Sequence, residues 1–225
     1  MSESTLSMSA PRVRVSRAAL EKNIAAAAAG RRDVVVDLRR DACGHGAATV
    51  AESARAAGVT AARTDEPADA VALGMHPSAG PALDLDAVYG LNGRGAPALT
   101  FAAPVLQTKR LRAGDGVSYG YRHRATSDTN AALISGGYAQ GVARAIGGTA
   151  SVRFGDAERP IIGRVAMDVC VVDIGSDLEL ESGAEAVYFG GSAPHLLDDW
   201  VRATGWSALE LVAVVGLSAP REVVP

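Results

Sequence analysis

The order of the predicted elements changes near residue 74, and this change constrains the fold more than any other feature. Before it, helices alternate with short strands rich in β-branched residues. Helices are predicted to begin at Ser16, Ala48 and Glu66, and strands at 33–38 and 59–63. Such βα alternation is typical of the start of a parallel sheet or barrel.

After residue 74 the pattern becomes strand, turn, strand. The segment 76–81 is rich in Pro and Gly and is predicted to be a linker, followed by one short strand at 86–91. β-strand signals then cover 98–109, 116–121, 129–135, 150–154, 159–172 and 184–189, and two short helical segments follow at 198–205 and 207–214. The sequence therefore predicts a disordered tail at 1–10, an α/β domain at 11–97 and a mainly antiparallel β domain at 98–225.

Composition excludes several classes of function. The 225 residues include 22 basic and 25 acidic side chains, and this balance gives no electrostatic case for binding nucleic acid or an anionic membrane. No stretch is long and apolar enough to span a bilayer, so a cytoplasmic location is expected. Cys43 and Cys170 lie far apart and are expected to be reduced thiols. The four histidines show no ligand spacing, so no metal site is expected.

Five motifs, in order, resemble those of the alanine racemase family. Arg39-Arg-Asp-Ala-Cys-Gly-His-Gly is similar to the family pattern Lys-Ala-Asp-Ala-Tyr-Gly-His-Gly, at the strand end that binds pyridoxal phosphate (PLP). Val88-Tyr-Gly-Leu resembles the last barrel strand, and Val117-Ser-Tyr-Gly resembles the motif of the catalytic tyrosine. Gly137-Tyr-Ala-Gln-Gly and Gly163-Arg-Val-Ala-Met-Asp resemble two further family motifs.

The resemblance implies a fold and an assembly. The family fold is a TIM-type barrel followed by a β domain, and its subunits form head-to-tail dimers. Only two βα units precede the piece similar to the last barrel strand, which is too few to close a barrel. The sequence therefore predicts a truncated remnant of a TIM-type barrel followed by an antiparallel β domain, in a homodimer.

The resemblance also implies a loss of cofactor chemistry. The lysine that carries PLP in the family falls at Arg39, and a guanidinium is a poor nucleophile that stays protonated. Two tyrosines that contact the cofactor phosphate fall at Cys43 and Ala219. Lys22 and Lys109, which are the lysines of the chain, lie elsewhere in the sequence. From these losses we expect no cofactor.

The candidate catalytic residues are Tyr119, Arg39 and His123. The resemblance makes Tyr119 the acid/base residue, and the cation of Arg39 could lower its pKa. Tyr121 and His123 follow Tyr119 at alternate positions, so all three share a face if the strand continues. Two structural alternatives explain the same residues. Tyr119 could be a relict side chain buried in a β-sheet, or Tyr119, Tyr121 and His123 could form a polar outer face of the sheet.

The candidate substrate-binding residues are Tyr138, Met167, Asp168, Tyr121, Cys43 and His45. The first three correspond to residues near the substrate in the family, although packing on turns explains them equally well. A lone histidine such as His45 is more often a structural residue.

These observations lead to a functional hypothesis and two alternatives. The hypothesis is a cofactor-free acid/base isomerase or cyclase of a small molecule, in specialised natural-product biosynthesis. The first alternative is a non-catalytic protein that binds a small molecule or another protein. The second is a PLP-dependent amino-acid racemase, which the arginine at position 39 disfavours.

Overall fold

The computed structural model describes residues 9–118, 120–121 and 123–225. Tyr119, Arg122 and most of the predicted tail lie outside the described residues. The chain divides into two compact units. The barrel unit comprises Thr100–Ser207, the segment ending at Val13 and Ser218–Pro220, and the parallel unit comprises Arg14–Leu99, Ala208–Leu217 and Arg221–Pro225.

The parallel unit contains a small parallel sheet with helical connections. In it β2 pairs in parallel with β3, and β3 pairs in parallel with β4. The Ser16 hydroxyl accepts a hydrogen bond from the Ala19 amide and caps the first helix, as predicted. After β1 (Arg12–Ser16), the elements are α1 (Arg17–Ala28), β2 (Val35–Asp37), a left-handed turn (Arg39–Cys43), α2 (Ala47–Ala56), β3 (Ala61–Arg63), α3 (Pro67–Ala72), β4 (His76–Pro77) and α4 (Leu85–Tyr89).

The barrel unit is antiparallel, as the sequence predicts for this half of the chain. Its strands are β5 (Leu99–Leu111), β6 (Gly116–Val117), β7 (His123–Arg124), β8 (Thr129–Ser135), β9 (Ser151–Phe154), β10 (Ala157–Ile162), β11 (Val169–Gly175) and β12 (Glu185–Phe189). Its helical elements are two 3-10 turns (Tyr138–Gln140 and Arg144–Ile146) and α5 (Leu196–Thr204), after which α6 (Ala208–Ser218) and β13 (Arg221–Val224) complete the chain.

Pairing at both edges closes the main sheet of the barrel unit. The strands follow the order β12-β9-β10-β11-β8-β5, and β12 also pairs with β5. Closure removes the unpaired sheet edges that otherwise promote association. Four aromatic rings fill part of the core, with Phe101 stacked on Tyr188 and the buried Trp200 edge-on to both Tyr188 and Phe189.

The predicted strand at 86–91 is wrong, because these residues are mostly in helix α4. The Asp84 carboxylate accepts a hydrogen bond from the Ala87 amide and caps the start of the helix. Gly90 adopts the left-handed conformation that ends it. The alternation of apolar side chains alone did not reveal this short capped helix.

Two further predicted boundaries are corrected. The strand predicted at 159–172 is two strands, β10 and β11, separated by a break that begins at Gly163 with a φ of 71°. The predicted linker begins with β4, a short third strand of the parallel sheet.

The strand predicted at 116–121 ends at Val117, which changes the expected arrangement of side chains. Ser118 and Tyr121 have positive φ angles of 60° and 47°, so the extended conformation stops. The predicted common face of Tyr119, Tyr121 and His123 required a continuous strand. That prediction is therefore wrong for Tyr121 and His123, and Tyr119 lies outside the described residues.

Among the described residues, no single helix is long and apolar enough to cross a membrane, and only α5 and α6 taken together pass that test. The same residues contain no cluster of metal-ligating side chains, and both cysteines are free.

We expect the Tyr188 hydroxyl to be a stability determinant of the barrel unit. It is buried, and its single proton is shared between the carbonyl oxygens of Ser135 and Gly136, which lie 2.9 and 3.1 Å away. Tyr188→Phe should lower the free energy of unfolding by about 1 kcal/mol, because it removes this buried hydrogen bond, while the Gly136 carbonyl keeps the Cys170 thiol as a donor. Urea denaturation measures this change, and the exposed Tyr121→Phe is the control. An equal effect of both substitutions would contradict the assignment.

Candidate active site

The turn after β2 is left-handed over four consecutive residues. Arg40, Asp41, Ala42 and Cys43 have φ angles of 52–53°, and none of them is glycine. Each such residue costs about 1–2 kcal/mol relative to the right-handed conformation. A run of this kind persists only where the surrounding structure holds it in place.

Arg221 and Gly216 hold this turn. The Arg221 guanidinium donates to the Gly44 carbonyl at 2.8 Å and forms an ion pair with Asp41 at 2.7 Å. The other oxygen of Asp41 accepts from the Ala47 amide at 2.7 Å, at the start of α2. Gly216 of α6 lies so close that a Cβ there would meet the Gly44 oxygen at 2.5 Å.

Arg39 stands at the start of the turn and is ion-paired with Asp37. The Asp37 carboxylate accepts hydrogen bonds from Arg39 Nε and Nη2, at 2.9 and 2.6 Å. Burial alone would raise the pKa of Asp37, but hydrogen bonds and charge from Arg39, with the charge of Arg63, lower it overall. The same hydrogen bond raises the pKa of Arg39. Residue 39 therefore remains a paired cation.

Neither Cys43 nor His45 has the properties of a reactive group. Burial raises the pKa of the Cys43 thiol, and the negative charge of Asp37 raises it further, which disfavours a thiolate. His45 is fully buried, and its ring stacks on that of Tyr89 with centroids 3.8 Å apart. Nδ1 of His45 lies 3.2 Å from the carbonyl oxygens of Ala42 and Cys43, which assigns its proton to Nδ1. His45 thus supports the turn.

In the barrel unit, two loops that carry predicted site residues are joined by main-chain hydrogen bonds. We call residues 136–140 and 166–168 the paired loops. The amides of Gly136, Tyr138 and Ala139 donate to the carbonyls of Asp168, Ala166 and Met167, at 2.8, 3.0 and 3.0 Å. A Cβ on Gly137 would lie 2.3 Å from two of these oxygens, so this close approach requires glycine.

Side chains complete the paired loops. Gln140 accepts from the Gly137 amide through Oε1 and donates through Nε2 to the Asp168 carboxylate, both at 3.0 Å. The Arg144 guanidinium carbon lies 5.4 Å from the centre of the Tyr138 ring. Tyr138 and Met167 are 42% and 54% exposed, so they present an apolar surface beside the anchored carboxylate.

The β6–β7 hairpin contacts the loop that precedes Met167. Ser118 Oγ donates to the Arg164 carbonyl at 2.7 Å. Tyr121 is 65% exposed and its ring lies over Gly116, while His123 is half-buried in β7. Three of the five sequence motifs therefore converge in the barrel unit, although Tyr119 itself lies outside the described residues.

The predicted site residues fall in two groups. Arg39, Cys43 and His45 belong to the parallel unit, and the others that are described belong to the barrel unit. Sequence reasoning missed four residues that organise these groups, namely Asp37, Arg221, Gln140 and Arg164. For Asp37, a signal was available, because a carboxylate at the end of a buried parallel strand is typical of a functional edge.

The comparisons with known proteins agree with these motifs. The model of the alanine racemase C-terminal domain matches residues 98–223, which is more than half of the chain. The chain belongs to the alanine racemase family.

Named relatives support this family membership. Over 149 residues the chain is 39% identical to an alanine racemase of Frankia casuarinae, covering 65% of this chain and 38% of that protein. Over 136 residues it is 41% identical to that of Mycobacterium leprae, covering 56% of this chain and 35% of that protein. The chain thus spans little more than a third of the length of these relatives.

Structural similarity extends across almost the whole chain. The alanine racemase from Streptomyces coelicolor matches with a TM-score of 0.77 and 21% identity, covering 98% of this chain and 99% of that one. An alanine racemase from Bartonella henselae, with covalently bound pyridoxal phosphate, matches with a TM-score of 0.78 and 15% identity, covering 96% and 99%. At these identities the matches establish the fold.

These findings overturn the hypothesis of a cofactor-free isomerase or cyclase. The relatives at 37–41% identity are named alanine racemase, and none of these three is named as a cofactor-free isomerase or a cyclase. The hypothesis followed from local losses at Arg39 and Cys43. Losses in one part of one chain do not identify a new reaction, because the rest of the chain retains the family's sequence.

The residues of the left-handed turn do not fit a covalently held PLP. Arg39 offers a guanidinium ion-paired with Asp37 where the cofactor aldehyde would require a free amine. Lys22 is the lysine of the parallel unit, and it lies on α1 beside Asn23 and Arg94 rather than at the turn. Residue 39 therefore cannot hold the cofactor as an imine.

We expect buried His45 to make the stability of the protein depend on pH. Burial lowers its pKa from 6.5 to about 4, so between these values the unfolded state binds more protons and stability falls as the pH falls. The shift corresponds to about 3 kcal/mol, present above pH 6.5 and lost towards pH 4. Urea denaturation at both ends of this range measures the loss.

The matched variant is His45→Phe, which keeps a ring against Tyr89 but has no titratable group. Its free energy of unfolding should fall by less than that of the wild type between pH 7 and pH 4.5. An identical pH dependence in the two proteins would show that His45 does not titrate as described.

Proposed function

We propose that this chain acts in a PLP-dependent amino-acid racemase of the alanine racemase type, to which it contributes the substrate-facing loops of the barrel unit. A lysine-bearing member of the same family would carry the cofactor. The observation that carries the proposal is the convergence of Val117–Ser118, the paired loops and Arg164 through hydrogen bonds within one unit. These segments lie far apart in sequence, so their convergence supports a preserved site.

The two units differ in the properties of their predicted site residues. This difference supports the proposal that this chain provides the substrate-facing loops and a lysine-bearing subunit provides the cofactor. In the parallel unit, Asp37 neutralises Arg39 and burial suppresses ionisation of Cys43. In the barrel unit, the Asp168 carboxylate is oriented by Gln140, and Met167 is exposed. The barrel unit can therefore offer a polar anchor and an apolar wall to a small substrate, with Tyr119 as the acid/base residue predicted from the sequence.

The proposal includes an interpretation of the fold and of the assembly. The parallel unit is interpreted as a truncated remnant of a TIM-type barrel, because β2, β3 and β4 alternate with helices as in βα units. The predicted domains at 11–97 and 98–225 and the predicted cytoplasmic location stay part of the proposal. The predicted head-to-tail dimer becomes a mixed dimer with a lysine-bearing partner.

Co-expression with a full-length alanine racemase tests this proposal. The full-length protein carries Phe in place of the tyrosine of its own Val-Ser-Tyr-Gly hairpin, so its homodimer lacks that acid/base group. Co-expression of this chain should restore the conversion of L-alanine to D-alanine, which chiral chromatography measures. This chain alone with PLP should show no conversion, because Arg39 does not form an imine.

Two exposed apolar residues provide matched variants. Met167→Arg places a charge on the paired loops and should abolish the restoration, whereas Val71→Arg, at a residue 64% exposed on α3, should leave it unchanged. A mixed dimer that forms by native mass spectrometry but shows no restored conversion would refute the proposal. Racemisation by this chain alone would refute the division between the subunits.

A further inference from the structure

A pocket lies between the β6–β7 hairpin and the face of the sheet formed by β5, β8 and β11. It has a volume of about 170 Å³ and is half open to solvent. Its floor is apolar and contains Leu111, Val117, Ala131, Leu133 and Val171. We call this cavity the hairpin pocket.

The floor of the hairpin pocket belongs to a small apolar cluster. Leu111, Val117 and Ala131 are each 5% exposed, and Val171 packs against them. Because these side chains are fixed by strand pairing on one side and by the hairpin on the other, the pocket is preformed. A preformed apolar cavity binds a ligand without a large ordering cost.

The polar groups that line the pocket define the charge of the ligand. Lys109 is the charged residue among the described residues that line the pocket, and none of these is acidic. Among the described residues Lys109 has no ion-pair partner, so its ammonium is available. Gln107 adds an amide donor, whereas the hydroxyl proton of Ser118 is already donated to Arg164.

We propose that the hairpin pocket binds a compact monocarboxylate with an aromatic or branched aliphatic body. Its carboxylate would pair with Lys109 and accept from Gln107, and its apolar body would cover the floor. A cavity of about 150 Å³ is known to hold a benzene ring, so this pocket accommodates a ligand of similar size. An ammonium group on the ligand is disfavoured by Lys109, which distinguishes the ligand from an amino acid.

The hairpin pocket shares Val117 and Ser118 with the site proposed for racemisation, but none of the other residues of that site. The pocket does not include Tyr138, Met167, Asp168 or Arg164. Occupancy would nevertheless affect the hairpin, because Val117 and Ser118 line the pocket and Ser118 is bonded to Arg164.

Ligand-observed NMR titration of the full chain tests the proposal with three probes of similar shape, which are benzoate, benzyl alcohol and benzylammonium. Benzoate should bind saturably and about fivefold more tightly than benzyl alcohol, since a solvent-exposed ion pair contributes no more than this. Benzylammonium should bind more weakly than either. Added salt should weaken the binding of benzoate and leave that of benzyl alcohol unchanged.

Lys109→Gln should remove the preference for benzoate over benzyl alcohol, and Lys22→Gln, at the other lysine of the chain, should keep it. Both substitutions are at surface positions, and circular dichroism verifies that the variants are folded. Leu133→Ala should weaken the binding of both probes by removing apolar floor. Equal affinities of the wild type for benzoate and benzyl alcohol, an equal effect of the two lysine substitutions, or no saturable binding of benzoate would overturn the proposal.

Discussion

Pairing of β12 with both β9 and β5 closes the sheet of the barrel unit, and the arrangement of the paired loops depends on this closure. Tyr188 on β12 reaches the carbonyls of Ser135 and Gly136 at the end of β8. The paired loops begin at that point, and their backbone hydrogen bonds then place Met167 and Asp168 beside Tyr138. A side chain of the buried core thus contacts the point from which the exposed residues of the paired loops extend.

In the parallel unit, hydrogen bonds, an ion pair and close packing likewise hold one turn in place. Its left-handed turn is maintained by Arg221, by the close approach of Gly216 and by the stacked His45 and Tyr89 rings. Several contacts therefore maintain a turn whose first residue, Arg39, is neutralised by Asp37. The turn offers no amine at residue 39, and this is why we propose that a partner carries the cofactor.

Much of this could be predicted from the sequence, and the failures have physical causes. The five motifs identified the family, and the strand at 129–135 agrees with β8 because its apolar pattern is long and uninterrupted. Helix α4 was missed because its existence depends on the Asp84 cap rather than on periodicity. The left-handed turn and the role of Arg221 depend on contacts between residues almost 180 positions apart, which no local pattern encodes. The predicted reaction was wrong because the arginine at position 39 was taken as decisive evidence against racemisation, although residues 98–223 match the C-terminal domain of the family.

We propose that this chain supplies the substrate-facing loops and that its partner supplies the lysine that holds the cofactor. Borohydride reduction of the mixed dimer with PLP, followed by peptide mapping, tests it directly, because reduction fixes the cofactor to whichever lysine holds it. The account predicts that the pyridoxyl label lies only on the full-length racemase subunit. A label on Lys22 or Lys109 of this chain would contradict it.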